Sequence, residues 1–391
     1  MTETVYLDNA ATTYPKPISV ERAFLSAARE AYGNAGRSSH PPAVLAAELL
    51  YECRSAIADA FGGSPERVIF TENATHALNL IIKALTPSGG HLLLSDIEHN
   101  ATLRPTVALS ERGVSYSLYR TTADLHFPDL TRDEAALLHS LKASLRPNTV
   151  GVIACHRSNC LPIELPLRAI GRFCREHGLF FIVDASQSAG ACRIDAEALG
   201  ITALVAPAHK GLYGYRGAGF VMISKSVRDE TLHTLTEGGS GSDSRSPAMP
   251  SLLPERLEAG TRPVEILASL RAGIGFTETV GCERISEKEA YLSEYLKRRL
   301  LTLPRITVHL QRRKSRGTVL FSPLDTDAVS LCACLSERGI CLREGLHCAP
   351  LAHRLIGTEA TGALRASFGW FNSESDADAL IYALRDCPRQ R

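Results

Sequence analysis

From about residue 66 onward, short β-branched and aliphatic runs alternate with longer stretches whose apolar positions recur at helical spacing. The first kind reads as strands and the second as amphipathic helices. Their alternation builds a mostly parallel sheet through crossover helices. Strands are predicted over 67–71, 91–95, 114–119, 149–154, 179–184, 203–207 and 218–223, a seven-stranded layer. Between them ATHALNLIIKAL, RDEAALLHSLKASL and LPLRAIGRFCREHG read as helices, and Gly178 stands at a helix C-terminus. After residue 224 the pattern breaks. Residues 236–256 concentrate Gly, Ser and Pro without an apolar period, which predicts a mobile loop, either a plain surface connection or an active-site lid. Two long helices follow, over 263–280 and 283–303, and then a β-α-β-α-like tail.

Composition narrows the class. The chain has 391 residues, 45% hydrophobic and 22% charged, with a net charge of +1, the profile of a soluble globular protein too long for a single core. With no Lys/Arg run, neither nucleic acid nor an anionic membrane is expected as a partner. The N-terminus lacks a basic region followed by an apolar stretch, and no segment has about 18 consecutive apolar residues, so a cytoplasmic location is expected. Eleven scattered cysteines in such a chain should be mostly free and buried.

The stretch FIVDASQSAG…APAHKGLYGYRGAGF carries the chemistry. A hydrophobic strand delivers Asp184 at its C-terminal end, where open α/β sheets place ligands, and Lys210 follows after another apolar strand. A lysine can carry pyridoxal phosphate while an aspartate pairs with the protonated pyridine nitrogen. Lysine suits this because its amine loses a proton when desolvated. Small residues crowd both positions, consistent with backbone close to a flat ring, and Gln187 and His209 add polar contacts.

In order along the chain, VYLDNAATT, FTENATHALNLI, IEHN, HRSNCLP, VDASQSAG, AHKGLYGYRGAGF, LEAGT, LHCAP and LRASFG resemble a cysteine desulfurase of the class V aminotransferase family, of the group with a His-Cys-Ala motif. The resemblance spans nearly the whole chain. It implies an α/β fold of type I with the cofactor pyridoxal 5'-phosphate, a large cofactor domain over 17–260, a smaller α+β domain over 261–391, and residues 1–16 packing with the latter. It places the phosphate cradle on Ala74 and Thr75, where a helix N-terminus also offers free N–H groups. Thr75 could equally be a plain N-cap residue. Further phosphate contacts fall on His209 and Thr261, the latter reaching across from a second copy in a homodimer. His99 resembles the histidine that stacks on the cofactor, Gln187 and Asn159 those that bond it and orient the substrate, and Arg365 the arginine that grips the substrate carboxylate. Asn159 could otherwise be a turn former before Pro162.

Cys348 decides the reaction. Arg343 and His347 flank it, both able to favour a thiolate, and Gly345 and Pro350 suggest an accessible loop, whereas Cys332 and Cys334 read as core positions of a helix. His347, Cys348 and His353 lie close in sequence, but no CxxC pair completes a zinc set and no metal is expected. The expected reaction is conversion of L-cysteine to L-alanine, with Lys210 moving the α-proton, His99 at the cofactor, Arg365, Arg343 and Asn159 at the substrate, and a persulfide on Cys348. A sulfur-acceptor protein or small thiol would empty it, for example toward iron–sulfur cluster assembly, and selenocysteine could serve as substrate. Two other readings stay open: another class V enzyme, such as a selenocysteine lyase, another β-lyase or an aminotransferase, and a non-catalytic cofactor-binding scaffold. The sequence also departs from the pattern. Pro207 stands where a phosphate-binding serine is usual, His76 replaces an acidic residue, and NAGRSSH replaces an Asn-Pro-Ser version.

Overall fold

The computed structural model describes residues 4–240 and 245–387. Its strands are β1 (Val5–Tyr6), β2 (Val68–Thr71), β3 (His91–Ser95), β4 (Ser115–Tyr119), β5 (Thr149–Cys155), β6 (Phe180–Asp184), β7 (Ala203–Pro207), β8 (Gly219–Ile223), β9 (Ile306–Val308), β10 (Thr318–Pro323), β11 (Ile340–Cys341), β12 (Arg343–Gly345) and β13 (Ala363–Ser367). The helices are α1 (Ile18–Glu30), α2 (Pro41–Phe61), α3 (Ala74–Leu85), α4 (Asn100–Ala108), α5 (Leu130–Ala143), α6 (Leu167–Glu176), α7 (Ala196–Leu199), α8 (Val264–Val280), α9 (Cys282–Leu300), α10 (Ala328–Glu337), α11 (Pro350–Leu355) and α12 (Glu374–Asp386).

The large sheet has the strand order β2-β8-β7-β6-β5-β3-β4. β7 to β4 run parallel, while β8 lies antiparallel to both neighbours. Every residue of β2, β3, β7 and β8 is buried, as it must be in strands covered by helices on both faces. Each such Val, Leu or Ile contributes about 1.5–3 kcal/mol of apolar burial. The parallel strands end together, so His99, Asp184 and Lys210 emerge at one rim.

A second core gathers Leu292, Leu296, Phe321, Leu335 and Leu380 around the sheet β12-β13-β10-β9. Leu267, Leu270 and Ile274 of α8 pack into the large core. β1 pairs with β11, and Leu7 joins the second core. The expectation for residues 1–3 lies outside the described residues.

Two expectations change. The 236–256 segment is not free of packing throughout: Leu253 is buried, as is Leu257 just beyond it, and Leu253 N–H donates to Asp229 Oδ2 at 2.8 Å. Residues 241–244 of that loop, with much of GGSGSD, lie outside the described residues. Cys334 is not a plain core thiol. It is disulfide-bonded to Cys387, with Cα atoms 6.1 Å apart, tying α10 to the end of α12. Cys332 does lie in the small core. Among the described residues no helix is long and apolar enough to cross a membrane.

Candidate active site

At the carboxyl ends of β5, β6 and β7 a small cleft is lined by Ala74, Thr75, His99, Asn159, Asp184, Gln187, His209 and Lys210. A larger cleft near α8 and α9 is lined by none of the candidate catalytic, cofactor or substrate residues. Chemistry, not volume, marks the site.

Asp184 ends β6 almost fully buried, with Oδ1 accepting the Ser186 amide at 2.9 Å. Lys210 follows β7 in a turn packed backbone to backbone on the Asp184 segment. Gly190 and Gly211 approach so closely that a Cβ on either would meet the other segment's carbonyl oxygen or its neighbour's. This explains the small residues around both positions. Burial lowers the Lys210 ammonium from its ordinary value, while Asp184 pulls the other way. A lysine so placed gives up its proton more readily than one in water.

His99 caps α4, its Nδ1 accepting the Ala101 amide at 3.0 Å. An amide can only donate, so the neutral ring carries its proton on Nε2. Burial first, and then Lys210, Arg343 and Arg365, push its pKa down to about 4 against the pull of Asp184. Gln187 Nε2 donates to Ala10 O at 2.9 Å, which leaves its carbonyl oxygen as the group it can offer.

The N-terminus of α3 meets the same cleft. Asn73, not Thr75, is the N-cap, its side chain accepting the His76 amide at 2.9 Å. The amides of Ala74 and Thr75 therefore have no partner within the helix and can receive an anion. A Cβ on Gly219 would lie 2.7 Å from the Asn73 carbonyl carbon and 3.0 Å from the Ala74 nitrogen, so glycine permits this docking. His209 Nδ1 and Asn159 Oδ1 are buried without a hydrogen-bond partner among the described residues. Such orphaned atoms are the mark of a site that a ligand completes. Free amides, an aspartate, a lysine and unpartnered polar atoms fit a small aromatic phosphate such as pyridoxal phosphate. Pro207 also lines the cleft and brings no hydroxyl. Thr261 is exposed and does not line the cleft of its own chain.

Arg365 is 1% exposed, donating from Nη1 to Asn159 O at 3.1 Å and from Nη2 to Asp8 Oδ1 at 2.6 Å, while Nε has no partner among the described residues. Asn159 in turn donates from Nδ2 to His347 O at 2.6 Å, so it joins the cleft to the cysteine loop rather than simply forming a turn. Cys348 is exposed, 3.6 Å from Arg343 Nη2, and its carbonyl accepts the Asn100 amide at 2.8 Å. It lies on the loop from β12 to α11, whose Ala349 and Ala352 pack into the large core.

His347 does not serve the thiolate as its position in sequence suggested. Its ring is buried and turned away from solvent, and burial pushes its pKa down to about 3, so no imidazolium stands beside the sulfur. Sequence reasoning also gave no role to Asp8, although it lies in the quoted VYLDNAATT, or to Glu98 beside His99. Glu98 is fully buried, its Oε1 accepting from Ser95 Oγ and from the Cys155 amide, and burial raises its pKa to about 7. One His-Glu-Cys cluster, His156, Glu164 and Cys192, occurs among the described residues. Arg157 already donates to Glu164 at 2.7 Å and to Cys192 at 3.0 Å, so a cation there would meet a guanidinium.

The family model for aminotransferase class-V matches residues 5–380. A probable cysteine desulfurase of Methanothermobacter thermautotrophicus is 29% identical over 388 residues, 98% of this chain and 94% of that protein. One of Streptomyces coelicolor is 31% identical over 400 residues, 97% and 91% of the two chains. Among solved structures, an apo cysteine desulfurase from Thermococcus onnurineus superposes with a TM-score of 0.85 at 26% identity, covering 98% of this chain and 94% of that one.

Proposed function

The chain belongs to the aminotransferase class-V family, and from that premise we propose that it is a pyridoxal-phosphate-dependent cysteine desulfurase. The observation that carries the reading is an exposed Cys348 beside Arg343, on a loop bonded directly to the Lys210–Asp184 cleft through Asn100 and Asn159.

Lys210 holds the cofactor, Asp184 faces its pyridine nitrogen, and Ala74, Thr75 and His209 receive its phosphate. When bound, the cofactor supplies a sink for the electrons left on the substrate α-carbon. Lys210 removes that α-proton and later returns a proton to the product. His99, neutral and with Nε2–H available, packs at the cofactor face. Arg365, through its free Nε, and Asn159 orient the cysteine carboxylate, with Arg343 close by. The Cys348 thiolate attacks the substrate sulfur. The S–S bond forms as the C–S bond breaks, the electron pair stays with carbon, and protonation there yields alanine, leaving a persulfide on Cys348. A thiol reductant or an acceptor protein takes the outer sulfur. Arg343 Nη2, 3.6 Å from the Cys348 sulfur, is placed to donate to it.

In this reading the active form is a homodimer, with the exposed Thr261 reaching the second copy's phosphate site. Lys210→Ala is expected to abolish the visible absorbance that free pyridoxal phosphate acquires on binding. Retention of that absorbance would overturn the cofactor assignment.

A further inference from the structure

His347 and Cys348 both hold backbone angles in the left-handed region, φ 53° and 56°, where residues with side chains are disfavoured. Something must hold them there. Two locks are backbone contacts already described, Asn100 N–H to Cys348 O and Asn159 Nδ2 to His347 O. The third is a chain of buried side chains beneath the loop. His347 Nε2 lies 3.2 Å from Arg343 O, His347 Nδ1 lies 3.0 Å from His353 Nε2, and His353 Nδ1 lies 2.7 Å from Thr358 Oγ1. The two rings stack with centroids 5.2 Å apart and planes 15° apart. His347 is 2% exposed, His353 0% and Thr358 6%.

The proton arrangement in this chain is unique. A carbonyl oxygen only accepts, so His347 carries its proton on Nε2 and offers Nδ1 as an acceptor. His353 must then donate from Nε2, and its Nδ1 accepts the Thr358 hydroxyl. Every nitrogen of both rings is engaged, so neither ring is available to move a proton to or from Cys348. What the chain does reach is Arg343. His347 grips the Arg343 carbonyl, while the guanidinium of the same residue stands 3.6 Å from Cys348 Sγ. One ring thus spans the residue before the cysteine and the residue that carries the cation.

We propose that His353 and Thr358 are positioning residues for Cys348: through His347 they fix the left-handed loop and hold the sulfur and the Arg343 guanidinium in register. This deepens the reading of Cys348 as the sulfur acceptor and rests on it. A filler of space and a donor of a hydrogen bond are separable by substitution. His353→Phe keeps the ring and loses the donor, whereas His353→Gln restores an N–H near the Nε2 position. Thr358→Val keeps shape and removes the last link.

The experiment uses the full-length protein loaded with pyridoxal phosphate and reads two quantities. One is the kcat and KM for alanine formation from cysteine. The other is the rate of Cys348 alkylation by iodoacetamide across pH, followed by mass spectrometry, which requires no turnover. For His353→Phe we expect kcat to fall about tenfold, the order of one lost buried hydrogen bond, with KM and cofactor absorbance unchanged. The alkylation rate should rise as the loop loosens and the sulfur loses its fixed position beside the guanidinium. Thr358→Val should do the same more weakly, and His353→Gln should recover most of both quantities. If His353→Phe and Thr358→Val leave kcat and the alkylation profile as in the wild type, the proposal fails. It fails equally if His353→Gln is as impaired as His353→Phe while its cofactor absorbance and melting temperature are normal. The underlying reading fails separately, when Cys348→Ser keeps full desulfuration; the alkylation arm is blind to that result.

Discussion

Arg365 shows how much of a site residue's role is set by atoms far away in sequence. Its motif, LRASFG, points to carboxylate recognition, but two of its nitrogens are already taken by Asp8 and by the Asn159 carbonyl. The Asp8 pairing spans 357 positions, and no local pattern announces it. Replacing Asp8 with alanine leaves a buried guanidinium uncompensated, which costs about 3–5 kcal/mol. Urea unfolding of Asp8→Ala should show a loss of that order; a wild-type midpoint would mean the pair is dispensable. Lys210 and Asp184 were legible from local sequence, because a strand end, a lysine and crowded small residues together leave few other uses. His347 was not. Its neighbour in sequence is the reactive sulfur, yet a positive φ turns its ring inward, and backbone handedness at a non-glycine residue leaves no trace in composition.

At the scale of elements, the buried strands were the easiest to read, since they are apolar on both faces and bounded by turns. β1 and β11, two residues each, fall below any periodic signal and exist only because they pair with one another. The loop over 236–256 looked unpackable from its Gly, Ser and Pro content, but the burial of Leu253 and the Arg256 Nε bond to Leu232 O anchor its end. The docking of α3 on β8 was hidden in one glycine. Gly219→Ala forces the α3 N-terminus to shift, since the new Cβ would sit 2.7 Å from a backbone carbon. The expected result is a folded protein that releases pyridoxal phosphate about tenfold more readily on dialysis, as one good phosphate contact is lost. Retention equal to wild type would mean the phosphate does not sit on this helix.

Across the whole molecule, buried titratable groups set the response to pH. His347, His353 and His156 have pKa values held down to about 3, 4 and 4, below the ordinary histidine value of 6.5. As pH falls below 6.5 the unfolded chain takes up protons that the folded chain refuses, so stability drops through the window from 6.5 to about 4. Glu98 and Glu289 act in the opposite sense. Burial raises both to about 7, so the stability they contribute is full at low pH and is lost as pH rises through 7. The melting temperature should therefore peak near pH 6.5 and fall on the acid side, where these three histidines, together with His99 and His209, which are also held down to about 4, outnumber the two carboxyls. A flat profile between pH 4.5 and 6.5 would contradict the neutral histidine chain. The disulfide between Cys334 and Cys387 was also hidden at this scale, because helical spacing made Cys334 a core position and only the fold brings the C-terminal helix alongside it.

The central claim is that Cys348 receives the sulfur. It is tested most directly by giving the purified, cofactor-loaded protein free L-cysteine with a thiol reductant and measuring alanine and sulfide for wild type and Cys348→Ser. The wild type should form the two products in equal amounts, and the variant should lose both by about a hundredfold or more, as expected for removal of a nucleophile, with its cofactor absorbance intact. Full-rate production of alanine and sulfide by Cys348→Ser would contradict the account.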